Sequence, residues 1–170
     1  KPQYALILDN WWPYPSYVGI RKGSTNHVTG FTNPVQTLVE YLPTTGGAKL
    51  FAAAGTGIFD VTTAGTVGAA VVTGQTSAQW QHANVTTAGG SFLYLVNGQD
   101  RPQLYNGTTW TAIDGASTPS ITGVTTTDLV HVCVFKSRLY FVVKNSMQVV
   151  FLPVGQVGGA VGTLDMSAIF

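Results

Sequence analysis

A pattern of polar residue, apolar strand, short turn and returning strand occurs three times in this chain, and a hairpin written three times leaves few architectures open. The first copy is Lys49-Leu50-Phe51-Ala52-Ala53-Ala54-Gly55 with Ile58-Phe59-Asp60-Val61. The second is Ser91-Phe92-Leu93-Tyr94-Leu95-Val96-Asn97 with Gln103-Leu104-Tyr105-Asn106, and the third is Arg138-Leu139-Tyr140-Phe141-Val142-Val143-Lys144 with Met147-Gln148-Val149-Val150-Phe151. They open at Lys49, Ser91 and Arg138, 42 and then 47 residues apart, which is the spacing of propeller blades.

Further strands complete each unit. Thr37 to Leu42, Trp80 to Val85 and Leu129 to Phe135 precede the hairpins, while Ala69 to Thr73, Trp110 to Ile113 and Gly162 to Met166 can each supply a fourth strand. Between the strands stand Gly55-Thr56-Gly57, Ala64-Gly65, Gly89-Gly90, Asn97-Gly98, Asn106-Gly107, Asp114-Gly115 and Gly158-Gly159, whose Gly and Asn residues tolerate the positive φ of tight hairpins. Twenty Gly, eight Pro and many β-branched residues interrupt any helical stripe. The fold class predicted is all-β, with antiparallel hairpin repeats forming blades of a partial β-propeller. Parallel pairing is not expected, because no helical crossover is available for it.

Residues 1–36 form an extended aromatic and Pro-rich segment, and 37–170 the blade repeats, divided as 37–75, 76–123 and 124–170. Closed propellers use about four to eight blades, so three are expected to continue beyond residue 170 or to stack in another way. In the N-terminal segment, Pro13 and Pro15 rule out helix in Trp11-Trp12-Pro13-Tyr14-Pro15-Ser16-Tyr17. Those aromatics either pack on the blades or form a contact strip for a neighbouring subunit, since Trp and Tyr dominate interface anchors. Trp11, Trp12, Tyr14 and Tyr17 are the candidate interface residues.

Only 9% of the 170 residues are charged, against about a quarter in ordinary soluble domains, and the mean hydropathy is +0.22. A surface so poor in charge is kept soluble by hydroxyls and amides or is buried in partners. The eight Lys and Arg residues are scattered, with Arg21-Lys22 the one adjacent pair, so the basic cluster that phosphate binding requires is missing. No apolar run reaches the roughly 20 residues of a membrane helix, and membrane insertion is not expected.

Chemistry finds little to work with. Hydrolysis of sugars needs two carboxylates brought together, but Asp60, Asp100, Asp114, Asp128 and Asp165 mostly lie beside Gly, Asn or Thr, where Asp bonds its own backbone. Asp9 and Glu40 complete the acids. His27, His82 and His131 lack metal-ligand spacing, and the expected role of a strand histidine is a hydrogen bond within its blade. Gly55-Thr56-Gly57 lacks the Lys and helix of a phosphate loop. Asn84-Val85-Thr86 and Asn106-Gly107-Thr108 match the glycosylation pattern only by chance. Cys133, the single cysteine, lies between Val132 and Val134-Phe135 and is expected to be buried and slow to react. No catalytic, cofactor-binding or metal-binding residue is assigned.

The run Asn10-Trp11-Trp12-Pro13 through Tyr17-Val18 to Arg21-Lys22-Gly23, then Lys49 to Gly55, Trp80-Gln81-His82, Leu104 to Trp110 and Val134-Phe135-Lys136-Ser137-Arg138-Leu139-Tyr140-Phe141 resembles the tail-nozzle or tail-hub proteins of short-tailed bacteriophages and prophages. The resemblance spans almost the whole chain. It implies a structural, non-enzymatic virion subunit located in the tail, present in host cytoplasm during assembly. It further implies copies of the chain in a ring below the portal and its adaptor, contact with other tail proteins, and DNA only as a passenger through the lumen. Such subunits are longer, so the chain is expected to be the N-terminal portion of one. A carbohydrate-binding or glycan-cleaving propeller is the alternative, resting on Trp11, Trp12, Trp80 and Trp110, and an adhesin or stalk module is a third reading.

Overall fold

The computed structural model describes Asp9 and residues 11–167; Asn10, which opens the aromatic run, and the apolar end at 168–170 lie outside the described residues. The strands run β1 (Trp11–Pro13), β2 (Val18–Ile20), β3 (Val28–Thr29), β4 (Val35–Tyr41), β5 (Lys49–Ala54), β6 (Gly57–Asp60) and β7 (Gly65–Thr66). They continue with β8 (Gln81–Thr87), β9 (Gly90–Val96), β10 (Gln103–Tyr105), β11 (Trp110–Ala112) and β12 (Ile121–Thr122). After one 3-10 turn (Thr126–Asp128) come β13 (Leu129–Phe135), β14 (Arg138–Val143), β15 (Gln148–Phe151), β16 (Gly159–Ala160) and β17 (Gly162–Asp165). Among the described residues no helix is long and apolar enough to cross a membrane.

The all-β class and the three hairpin repeats stand. Each repeat is an antiparallel meander: β4-β5-β6, then β8-β9-β10-β11, then β13-β14-β15-β17. The second and third sheets have the four strands of a blade. In the first, the fourth strand expected at Ala69 to Thr73 shrinks to one bridge, in which Ile58 donates to Val72 O at 2.9 Å and Val71 N donates to Ile58 O at 2.7 Å.

Two findings correct the expected pattern. Antiparallel pairing is not universal, because β3 pairs parallel with β7 and β12 with β16. A parallel pair needs a long connection, and here the first or third meander itself provides it, so no helix is required. The second correction concerns the repeat. The pairs nearest the first turn of each meander are Tyr41↔Lys49, Thr87↔Gly90 and Phe135↔Arg138. Structural equivalence therefore joins Lys49, Gly90 and Arg138, so the middle copy is offset by one residue from the alignment of apolar runs. Because strand side chains alternate, one residue exchanges the faces.

With that register the three sheets point the same way. Phe51 and Ala53 face the second sheet, while Leu93, Leu95 and Tyr105 face back to the first, in one buried cluster with Val39, Tyr41 and Trp80. Tyr94, Val96 and Leu104 face the third sheet, which answers with Val132, Leu139, Phe141 and Val150. Hence β9 is apolar at every position from Phe92 to Val96: it is buried on both faces, and such strands lose their polar alternation. Aromatic rings meet edge-on across both junctions, Tyr41 on Tyr105 at 5.1 Å and Tyr94 on Phe141 at 5.4 Å between centroids.

Polar pins fix the sheets laterally. Asn84 of the second sheet donates to Glu40 O and accepts from Leu42 N, copying a strand neighbour for the edge of the first. Gly98 N donates to Leu129 O at 2.8 Å, and Lys144 Nζ donates to Gly98 O at 2.9 Å. A Cβ at Gly98, where φ is +70, would come within 2.5 Å of a Val130 methyl, so only Gly allows this approach. The Asp100 carboxylate accepts from Thr76 N, Thr76 Oγ1, Ser77 N and Asn97 Nδ2, tying the linker before the second sheet to that sheet's own hairpin loop.

Two outcomes follow for stability. Leu93→Ala should cost about 2–5 kcal/mol, as for other buried leucines, whereas Val142→Ala, on the outer face of the third sheet, should change denaturant stability by about 0.5 kcal/mol or less. Burial alone would raise the Asp100 pKa, but the bonds from Asn97, Thr76 and Ser77 outweigh it and hold the carboxyl below its ordinary 3.8. A depressed folded pKa stabilises above the unfolded value and ceases to do so as pH falls through the folded one. Asp100→Asn should therefore be less stable than the parent at pH 7, with the gap closing as urea titrations move below pH 3.8.

Candidate interaction surfaces

The aromatic segment folds as a hairpin of its own. Trp11 pairs with Ile20, Trp12 with Gly19 and Pro13 with Val18, and Tyr14 N donates to Tyr17 O at 2.8 Å across the turn. Tyr14 and Tyr17 stack with centroids 4.5 Å apart. Pro13 and Pro15 favour this extended path because neither can enter a helix interior. Trp11 and Tyr14 are exposed, and Trp12 and Tyr17 each show 62% of their surface. The structure thus gathers all four candidate interface residues on one short hairpin, and does not pack them into the sheets.

A second apolar surface is the outer face of the third sheet, which sequence reasoning did not single out. Cys133, Phe135, Tyr140, Val142, Val149 and Phe151 share it through the pairs Cys133↔Tyr140, Val142↔Val149 and Tyr140↔Phe151. Phe135 is 59% exposed, and Leu164 and Val142 are exposed as well. Two cations border the face and each stands over an aromatic ring: the Arg138 guanidinium carbon is 4.7 Å from the Phe151 centroid, and Lys136 Nζ is 5.4 Å from that of Phe135.

Cys133 is consequently exposed, against expectation. Its sequence neighbours Val132 and Val134 belong to the opposite face of the strand, so their apolarity says nothing about the side to which the thiol points. Val39 and Val85 stand at the equivalent position in the other two sheets, and both are buried, at 5% and 4% exposure, because another sheet covers them.

The first sheet's outer face is partly roofed by residues 26–35. Phe31 sits edge-on to Phe59 at 5.3 Å, and His27 Nε2 bonds to Val61 O at 2.9 Å. Between roof and sheet an apolar cleft of about 330 Å³ stays open, lined by Val28, Phe31, Leu38, Leu50 and Val61 among others.

The acids are mostly occupied with local structure, as expected of turn residues. Asp60 Oδ1 accepts from Thr62 N, Asp114 Oδ1 from Ala116 N and Ser117 N, and Asp165 Oδ1 from Ser167 N. Asp114 is held below its ordinary pKa by the Ala116 and Ser117 amides, helped by Arg101 at 3.1 Å. Asp128 pairs with Lys144 at 3.0 Å and Asp60 with Lys49 at 3.5 Å. His82 and His131 do not hydrogen-bond within their sheets among the described residues; they are exposed on β8 and β13, since the tight interior of each blade is taken by aliphatic and aromatic residues. No group of three His, Cys, Asp or Glu residues that could hold a metal occurs among the described residues.

Of the four tryptophans, Trp80 and Trp110 are not exposed platforms. Trp80 is buried with Val39 and Leu95, Trp110 packs at 4.9 Å from Phe51, and both indole nitrogens are enclosed with no hydrogen-bond partner. Large rings at a sheet junction supply contact area there, which alternation around position 80 or 110 did not signal. No family model, curated protein or solved structure matches the chain.

In the isolated chain, at concentrations too low for association, Cys133 should react readily with a disulfide-exchange chromophore such as dithiobis-nitrobenzoate. A Val39→Cys variant in a Cys133→Ser background should be protected until unfolding. Slow labelling of native Cys133 would mean that its face is covered.

Proposed function

We propose that this chain is a structural, non-catalytic building block of a ring-forming assembly, and that the assembly is the tail nozzle or hub of a short-tailed phage. The observation that carries the reading is the exposed hairpin of Trp11, Trp12, Tyr14 and Tyr17 on a chain with 9% charged residues. Large contiguous apolar area on a soluble protein marks an interaction site. Trp and Tyr also lose little rotamer freedom when an interface orders them, and the prolines beside them stiffen the backbone in advance. The phage setting rests on the sequence resemblance. Copies of the chain, the portal or its adaptor and other tail proteins are the partners in this reading, with DNA passing through the lumen.

Engagement of the acids in their own loops favours a scaffold over a glycosidase, which needs free paired carboxylates. The carbohydrate-binding alternative loses Trp80 and Trp110 as stacking surfaces and keeps only Trp11 and Trp12.

Replacing Trp11 and Trp12 together by Ser should weaken association while leaving the thermal transition of the sheets within about 2–4 °C, the shift of a roughly 1 kcal/mol change in a domain of this size. Sedimentation velocity of parent and variant, alone and with tail adaptor protein, reads this directly. Normal assembly by the variant would remove the hairpin from the interface, and an unaltered chain that never associates would end the structural-subunit reading.

A further inference from the structure

Three turns of this chain share one construction, an Asn or Asp followed by Gly, whose side-chain oxygen accepts from the amides two and three residues further on. Asn97 Oδ1 accepts from Gln99 N at 3.0 Å and from Asp100 N at 2.8 Å. Asn106 Oδ1 accepts from Thr108 N at 2.9 Å and from Thr109 N at 2.8 Å, and Asp114 Oδ1 from Ala116 N and Ser117 N. These bonds fold each side-chain carbonyl back over the amide nitrogen of the glycine that follows. An asparagine held in that way is placed to close on its own backbone.

What surrounds the two asparagines differs. At Asn97-Gly98 both groups that would react are tied: Gly98 N donates to Leu129 O at 2.8 Å, and Asn97 Nδ2 donates to Asp100 Oδ2 at 2.7 Å. Asn106-Gly107 lies in the exposed loop between β10 and β11, where neither Gly107 N nor Asn106 Nδ2 has a hydrogen-bond partner among the described residues. A third donor, Thr109 Oγ1 at 3.3 Å, joins the two amides on Asn106 Oδ1. Donors aimed at a carbonyl oxygen stabilise the oxyanion that forms when its carbon is attacked. Glycine leaves the attacking nitrogen unshielded, and packing requires glycine here: φ at Gly107 is +97, and a Cβ would stand 2.7 Å from Tyr41 Oη.

We propose that Asn106 is a self-modification site, at which the Gly107 nitrogen displaces ammonia from the Asn106 side chain and water opens the resulting ring to aspartate and isoaspartate. Hydroxide takes the Gly107 amide proton, and the bond from Gly107 N to Asn106 Cγ forms. The bond from Cγ to Nδ2 then breaks, and Nδ2 takes a proton from water and leaves as ammonia. The succinimide adds one water, giving aspartate when it opens at the backbone nitrogen's bond to Cγ and isoaspartate when it opens at the bond to the backbone carbonyl. Aspartate fits the turn, since Asp114 makes the same two amide bonds before Gly115. Those amides hold the Asp114 carboxyl below its ordinary pKa, and an ionised carboxylate is a poor electrophile, so that turn resembles the stable product. Isoaspartate instead adds a backbone methylene just before Gly107, whose carbonyl accepts from Tyr105 Oη at 2.7 Å, and so disturbs a ring of the first junction. The inference is independent of the proposed function.

The full chain, held folded in mildly alkaline buffer and sampled over days, tests this by peptide mass mapping, with isoaspartate counted by enzymatic methylation. Conversion at Asn106 should outpace that at Asn97 at least tenfold, a barrier difference of about 1.4 kcal/mol, and should rise with pH. In a guanidinium-unfolded chain the two Asn-Gly sites should convert at similar rates, because the bonds that tie Asn97 and Gly98 are gone. Thr109→Val, in the exposed loop, should slow conversion at Asn106 while circular dichroism stays that of the parent. Three results overturn the proposal. Equal rates at Asn97 and Asn106 in the folded chain remove the selectivity. A folded chain whose Asn106 stays intact while the unfolded chain converts shows that the turn protects its asparagine. A Thr109→Val chain that converts at the parent rate removes the stated cause of activation.

Discussion

Burial of the middle sheet on both faces is the constraint on which the rest of the molecule depends. A sheet facing water on one side can satisfy its chain with alternating residues, but Phe92 to Val96 contains no polar position at all. Such a strand is tolerable only between two other apolar sheets, and the chain supplies one on each side in sequence order. The two clusters are therefore coupled through single strands: Leu93 and Leu95 belong to one, while Tyr94 and Val96, interleaved with them, belong to the other. A change in the register of β9 would empty both clusters at once.

Hydrophobic burial is non-directional and would let the sheets slide, so the few polar side chains matter out of proportion to their number. Asn84 reaches the open edge of the first sheet, Lys144 and Gly98 join the second and third, and Asp100 gathers four donors from two loops. Each bond adds about 1 kcal/mol net, small beside the buried area, yet each is satisfied in one alignment only. Thr37 acts in the same way, donating to Ala78 O and accepting from Trp80 N, which seats Trp80 in the first junction.

Most strands were legible in the sequence because apolar runs and Gly-containing turns coincide; Gln103–Tyr105 and Leu129–Phe135 match expectation residue for residue. What escaped was orientation. Three apolar runs align equally well when displaced by one residue, and only the cross-strand pairs show that Gly90, not Ser91, answers Lys49 and Arg138. The same loss of phase hid the exposure of Cys133 and the burial of Trp80. The Lys136-Ser137 turn was silent too: both residues adopt left-handed φ, of 47° and 58°, a conformation usually announced by Asn or Gly. Of the interaction surfaces, the aromatic hairpin was visible as composition, whereas the outer face of the third sheet exists only once strands from three separated segments have been paired.

The distribution of charge supports treating that outer face as a surface meant to be covered. Exposed sheet surfaces are ordinarily guarded by charged side chains that hinder unwanted pairing and aggregation. Here the three ion pairs among the described residues sit at strand ends and loops: Lys49 with Asp60, Arg101 with Asp114 and Lys144 with Asp128. Acidic residues are absent from the central positions of the third sheet's outer face, and its one arginine lies on Phe151, where the guanidinium covers an aromatic ring as well as meeting water. Selection for a free surface would place Lys or Glu at Tyr140, Val142 or Val149, positions at which either residue fits an exposed strand. Apolar residues at all three are what a sheet junction uses, and the two junctions of the chain have Phe51, Ala53 and Ile58, and Phe92, Tyr94 and Leu104, at the equivalent positions.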